Sequence, residues 1–216
     1  MGAIVTKLRP LRIPDSGLAW WRRVALLALL ALLPNLGGCA WLDVKQRQLA
    51  LRPSPTPANA EASVRWQPQD QRLLLPSAAA PGQQLALWWL PHADPAAPTL
   101  LYLHGTLRTL YGNAPKIDAL RAAGFSVLAV DYRGWGDSTA IVPSEDSIVA
   151  DAWQAWGELV RRQPQPGRRV LFGHSMGSAV AVHLASTLRH GQDYGALALE
   201  SAFNRLPDVA KSAGFW

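Results

Sequence analysis

Cysteine is almost missing from this sequence: Cys39 is the only thiol in 216 residues, so no internal disulfide can form. The five histidines share no ligand spacing with one another or with that cysteine, and no metal cluster is expected. A glycine-rich phosphate loop is lacking as well, so no cofactor is expected. No apolar run is long enough to cross a bilayer comfortably; Val24 to Leu33 is unbroken for only ten residues. Net basic charge is small beyond the first segment. Of the net +6, Lys7, Arg9, Arg12, Arg22 and Arg23 against Asp15 supply +4 before residue 39, which leaves +2 for the rest. That balance is no nucleic-acid footprint, and no nucleic-acid partner is expected. What the chain does have is a 49% hydrophobic composition, enough for one domain with a real core.

The amino terminus explains the uneven charge. A basic stretch ends at Arg22-Arg23, the apolar run follows, and Pro34-Asn35-Leu36-Gly37-Gly38-Cys39 closes it. This order reads as a signal peptide over residues 1–38. Leu36-Gly-Gly-Cys39 resembles a bacterial lipobox, which implies cleavage before Cys39, a diacylglycerol on its thiol and a lipid-anchored place in the bacterial cell envelope. Two plainer readings of Cys39 are an incidental thiol in a membrane anchor and a buried core cysteine. Residues 39–70 are expected to form the anchor and a tether. Arg52-Pro-Ser-Pro-Thr-Pro-Ala-Asn-Ala-Glu61 favours extended polyproline II over a packed helix.

From Gln71 to Trp216 the pattern is α/β. Leu73 to Leu75 and Leu85 to Leu90 read as strands about a Pro81-Gly82 turn, and Thr99 to His104 as a third. A helix over Ala114 to Ala123 is closed by Gly124, and a strand over Phe125 to Asp131 follows. Ser144 caps a helix from Glu145 to Arg162, with acids in its first turn and arginines in its last. Val170 to Phe172 form a strand, Met176 to Leu188 a helix, Ala196 to Glu200 a sixth strand, and Leu206 to Ala213 the start of another helix. Alternation of this kind predicts a mostly parallel sheet covered on both faces, a three-layer α/β fold.

Chemistry concentrates where Val170-Leu-Phe172 gives way to the helix. There Gly173-His174-Ser175-Met176-Gly177 has the Gly-x-Ser-x-Gly form of a nucleophile elbow, a turn so sharp that residues two places from the serine must lack bulk. The serine is expected in a strained backbone conformation. His104-Gly105-Thr106 ends the third strand, where one half of an oxyanion hole belongs; the amides of Thr106 and Met176 are the candidate donors. His104 is expected to fix its loop rather than move protons. Asp131-Tyr-Arg-Gly-Trp-Gly-Asp-Ser138 reads as a structural loop in which Asp131 could pair with Arg133.

These three motifs and a fourth, Leu199-Glu-Ser-Ala-Phe203, resemble the α/β-hydrolase superfamily, in particular bacterial lipoproteins of its lysophospholipase or serine-aminopeptidase-like branch. The resemblance implies Ser175 as nucleophile, Thr106 and Met176 as oxyanion amides, and His104, Gly105, Gly173, His174 and Gly177 as structural parts. It implies a serine hydrolase acting on a carboxylic ester, thioester or related small-molecule acyl substrate, with the membrane reached through lipidated Cys39.

The family's order is serine, then acid, then histidine. Beyond Ser175 stand His183 and His190, on or near the end of the helix leaving the turn and too distant along it to reach the hydroxyl. His174 adjoins the serine and reads as structural. Glu200 could serve as acid, although an ordinary strand-end carboxylate is the plainer reading, and Asp208 has no better claim. The triad acid and histidine are therefore unassigned. Two expectations follow: a weakly active serine hydrolase whose sequence stops before its last strands, or a non-catalytic surface lipoprotein that keeps the turn for packing.

Overall fold

Six strands pair into one sheet because their apolar residues alternate between two faces. In chain order they are β1 (Gln71–Pro76), β2 (Gln84–Leu90), β3 (Thr99–Leu103), β4 (Ser126–Asp131), β5 (Arg169–His174) and β6 (Ala196–Glu200). The computed structural model describes residues 16–202 of the chain; the helix expected over Leu206 to Ala213, and Asp208 with it, lie outside them. Spatial order is β1-β2-β4-β3-β5-β6. β1 and β2 form the expected antiparallel hairpin, β2 meets β4 antiparallel, and the pairs β4·β3, β3·β5 and β5·β6 are parallel. Parallel neighbours require crossover helices, which is why strands and helices alternate from Thr99 onward.

Those helices are α2 (Leu110–Ala122), α3 (Glu145–Arg162) and α4 (Met176–Thr187), with α1 (Ser16–Leu51) preceding the sheet. One face of the sheet presents Leu101, Leu103, Leu128, Val130 and Leu171 to α3 and α4, which bury Ile148, Ala152, Leu159, Val180 and Leu184 there. The opposite face presents Leu100, Tyr102, Val127 and Ala129 to α2, which contributes Leu110, Tyr111, Ala114 and Ile117. Strand residues one apart in sequence thus serve different cores. Each fully buried Leu or Val side chain contributes on the order of 2 kcal/mol. α3 has the bounds its sequence announces, because the Ser144 side chain accepts from the Ser147 amide while the Ser147 side chain accepts from the Ser144 amide.

Three local expectations need correction. α2 starts one turn earlier than Ala114, with Pro115 inside it. A proline there cannot donate to the Tyr111 carbonyl; the nearby Ser63 hydroxyl stands 3.4 Å from that oxygen but donates to the Ala60 carbonyl at 2.6 Å. The tether is also different. Residues 40–51 are helical, as suits a stretch of good helix formers without proline or glycine, and the helix stops just before Pro53. The proline-rich segment beyond is laid against the α/β unit. Ser54 and Pro55 pair in parallel with Trp135 and Gly136, the Thr56 hydroxyl donates to Asp137, Ala60 is buried, and Trp66 packs edge-on to Trp88 at 4.9 Å. Third, Arg133 does not pair with Asp131. Its Nε donates to Asp151 on α3 at 2.8 Å, and its backbone amide donates to the other oxygen of the same carboxylate at 2.8 Å. A strand-end arginine and a helix carboxylate are joined by the sheet-to-helix packing, which no short sequence window displays.

The chain divides into two compact units, residues 1–45 and 46–216. In the first, α1 carries Cys39 on an exposed position, with Trp20 and Trp21 in edge contact at 4.7 Å. Among the described residues, no helix is long and apolar enough to cross a membrane.

Candidate active site

Ser175 sits between β5 and α4 with φ 54° and ψ −119°. A non-glycine residue in that region is strained by about 1–3 kcal/mol and persists only where its surroundings enforce it. They do so here. The Ser175 amide donates to the Glu200 carbonyl at 2.8 Å, the Ser178 amide donates to the Ser175 carbonyl at 2.8 Å, and the Ser178 hydroxyl donates to the Gly173 carbonyl at 2.8 Å. The flanking glycines are steric necessities. A Cβ on Gly173 would lie 2.3 Å from the Gly177 carbonyl oxygen, and one on Gly177 only 2.0 Å from that of Leu103. The turn therefore packs directly against the end of β3.

That strand end brings His104, Gly105 and Thr106 to the serine. A Cβ on Gly105 would stand 3.0 Å from the Ser175 Cβ and 3.5 Å from its Oγ, so the loop crosses immediately beside the hydroxyl. His104 is fully buried, with Nδ1 2.6 Å from the Gly105 carbonyl oxygen. A carbonyl only accepts, so Nδ1 carries the hydrogen. In a trans peptide the N–H points away from the C=O; by holding the Gly105 carbonyl inward, His104 turns the Thr106 amide outward. The Thr106 carbonyl is fixed in turn by the Trp135 indole N–H at 3.0 Å. Met176 is the first residue of α4, where a backbone amide has no partner within the helix.

Behind His104 lies Asp131, whose Oδ1 is 3.4 Å from His104 Nε2 and accepts from the Leu110 amide at 2.9 Å. Burial pushes the imidazole down to about 4 and the carboxyl up to about 7. Gly136 makes room for that carboxylate, since a Cβ there would clash with Asp131 Oδ2.

On the other side of Ser175, Lys116 of α2, His174 and Glu200 converge. Lys116 Nζ is 2.5 Å from Glu200 Oε2 and 3.3 Å from His174 Nδ1, and His174 Nδ1 is 3.2 Å from Glu200 Oε2. The hydrogen bond from Lys116 holds the Glu200 carboxyl below its usual range. Glu200 is thus engaged by a lysine rather than by a triad histidine. The sequence reading missed Lys116 because the sheet order alone brings α2 beside the end of β6. Among the described residues, no imidazole or carboxylate hydrogen-bonds the Ser175 hydroxyl: His104 is turned to Gly105, His174 to Lys116 and Glu200, and His190 to the Gly195 carbonyl.

Ser175 opens into a cleft of about 580 Å³ lined also by Gly105, Leu107, Arg108, Lys116 and His174. A second cleft, of about 420 Å³, is lined by Thr106 and Met176 together with apolar side chains of α3 and α4.

Residues 94–214 match the family described as serine aminopeptidase, S33. Lysophosphatidylserine lipase ABHD12 of Danio rerio is 35% identical over 133 residues, which cover 60% of this chain and 34% of that protein. Uncharacterized protein MT2364 of Mycobacterium tuberculosis (strain CDC 1551 / Oshkosh) is 32% identical over 190 residues, 87% of this chain and 64% of that protein. The chain spans about a third of the length of the lipase relatives it matches. Among solved structures, a highly thermostable carboxyl esterase from Bacillus coagulans in complex with glycerol superposes with a TM-score of 0.55 at 23% identity, covering 66% of this chain and 47% of that one. That likeness shows the three-layer α/β-hydrolase fold.

Proposed function

Because this chain belongs to the serine aminopeptidase S33 family of the α/β-hydrolase superfamily, we propose that it is a hydrolase of carboxylic esters or related acyl compounds, acting through an acyl-enzyme on Ser175. The observation that carries this reading is the enforced backbone strain at Ser175, with the Gly105 loop passing beside its hydroxyl; the amides of Thr106 and Met176 are the oxyanion donors in this reading. Attack of Oγ on an acyl carbon moves charge onto the carbonyl oxygen, and preorganised N–H donors there lower the barrier. The hydroxyl proton ends on the departing alkoxide, which leaves as an alcohol. Water then releases the acyl group as a carboxylic acid. Curated relatives named as lysophosphatidylserine lipases support an ester substrate.

No imidazole engages the Ser175 hydroxyl among the described residues, so in this reading water relays its proton to the departing alkoxide and acylation is slow. Loss of the base costs a triad enzyme about a million-fold, with roughly a thousand-fold over water left to the oxyanion site and binding. An activated aryl acetate should therefore acetylate Ser175 detectably by mass spectrometry while turnover stays barely above background. Ser175→Ala should remove the adduct with the circular dichroism unchanged. Aryl acetate turnover that survives Ser175→Ala would overturn the reading. The same missing contact favours a second reading, a non-catalytic lipoprotein that binds acyl compounds in this cleft; in that case no acetyl group is found.

We propose further that Cys39 is the lipid attachment point of a chain exported to the bacterial envelope, supported by Leu36-Gly-Gly-Cys39 and by the exposure of the thiol. Expression in a lipoprotein-processing bacterium should give an acylated amino-terminal Cys39, and Cys39→Ala should stay unprocessed. A mature protein without lipid on Cys39 removes the anchor.

A further inference from the structure

We infer that Lys116 is a positioning residue for the reaction at Ser175: paired with Glu200, it fixes how far the loop bearing the Thr106 amide stands from the turn bearing the Met176 amide. The inference rests on the reading of Ser175 as the nucleophile with these two amides as its oxyanion donors, and it adds a side chain that acts through another.

Two donors on separate loops stabilise one oxyanion only when their separation is set in advance. The first donor moves with α2. The loop after β3 runs from Gly105 into that helix at Leu110, whose amide donates to Asp131 Oδ1 at 2.9 Å. The Asn113 side chain donates to the Thr109 carbonyl at 2.9 Å and accepts from the Tyr102 hydroxyl at 3.1 Å, so the loop end and the first turn of α2 form one piece. Lys116 follows three residues on, in the same helix.

The second donor belongs to the turn after β5, and that turn is fixed to the end of β6. The Glu200 carbonyl accepts from the Ser175 amide at 2.8 Å, and the Ser178 hydroxyl stands 3.1 Å from the same oxygen. Among the described residues β6 pairs with β5 alone, and its last pairing is Glu200 with His174. Ser201, next in the chain, has φ 53°, so the strand ends there in a bend. The sheet holds such an end from one side. From α2, Lys116 Nζ reaches Glu200 Oε2 at 2.5 Å, with His174 Nδ1 3.2 Å from that oxygen. The helix that carries the first donor thus grips the residue whose carbonyl holds the amide of the nucleophile. The pair is partly exposed, so it adds little to stability. What a short charge-assisted hydrogen bond supplies here is a fixed distance between two elements.

The test is acetylation of Ser175 in the full chain by an activated aryl acetate, followed by mass spectrometry at several probe concentrations. That probe is uncharged, so loss of the ammonium does not alter its binding directly. Lys116→Gln and Glu200→Gln should each lower the limiting rate about tenfold, leave the half-saturating concentration unchanged and move Tm by no more than about 4 °C. The double variant should be no slower than either single one, because both remove the same contact. Lys116→Arg should recover part of the rate. High salt, which screens a partly exposed pair, should slow the unsubstituted chain and leave Lys116→Gln as it is. A limiting rate untouched by Lys116→Gln, a fall confined to the half-saturating concentration, or single effects that multiply in the double variant overturns the positioning role while Ser175 stands. No acetyl group on Ser175 of the unsubstituted chain removes the nucleophile, and the inference with it.

Discussion

His104 and Asp131 are both buried, yet their effects on stability run in opposite directions. Asp131 has its folded pKa raised from 3.8 to about 7, so its contribution is complete at low pH and is lost as pH rises through that window. His104 has its folded pKa lowered from 6.5 to about 4, so its contribution is present above 6.5 and is lost as pH falls towards 4. Between about pH 4 and 6.5 the folded pair holds one proton and so does the unfolded chain, and the two slopes cancel. Asp131→Asn should leave the His104 slope alone, with stability rising with pH by up to about 1.4 kcal/mol per unit across the window. His104→Gln should leave the Asp131 slope, with stability falling over the same range. Urea unfolding at several pH values checks this, and the same pH slope in both variants would refute the burial of these two groups as the source of their shifts. The expectation that His104 fixes its loop came from its place before Gly105, whose carbonyl its Nδ1 meets at 2.6 Å. Its nearness to Asp131 was not readable there, because the expected partner of that carboxylate was Arg133, two residues on in the sequence.

Among elements, the turn from β5 into α4 is the one the sequence displays most fully. An apolar strand run, two glycines about a serine and a helical face are all local, and so is the Ser144 cap of α3. What the glycines touch is a different matter. Gly177 faces the Leu103 carbonyl because β3 and β5 are neighbours, a fact of sheet order rather than of spacing. Gly177→Ala forces a Cβ into backbone and should cost about 3 kcal/mol or more. Gly157, inside α3, has nothing within 4 Å of an added Cβ. Gly157→Ala should stabilise by about 0.5–1 kcal/mol through helix propensity. Opposite signs in one urea series check the packing of the turn, and a neutral Gly177→Ala would contradict it. The early start of α2 escaped the sequence for a local reason: a proline inside a helix forfeits one hydrogen bond, so Pro115 argues against the turn that precedes it.

For the molecule as a whole, strand and helix types were legible from periodicity, but the order β1-β2-β4-β3-β5-β6 was not. That order gathers the site. It sets the loop after β3 against the turn after β5, and it brings α2 with Lys116 to the end of β6. The proline-rich stretch read as a tether because composition reports polyproline II without reporting what it docks on; pairing with Trp135 and Gly136 and burial of Ala60 hold it to the α/β unit. All of this converges on one side chain. The most direct test is to treat the purified chain with a fluorophosphonate and map the adduct by peptide mass spectrometry. A slow adduct on the peptide bearing Ser175, lost in Ser175→Ala and slower still in His104→Gln because the Thr106 amide is no longer held, is the predicted result. No adduct, or one that persists elsewhere in Ser175→Ala, would contradict a poised nucleophile at Ser175.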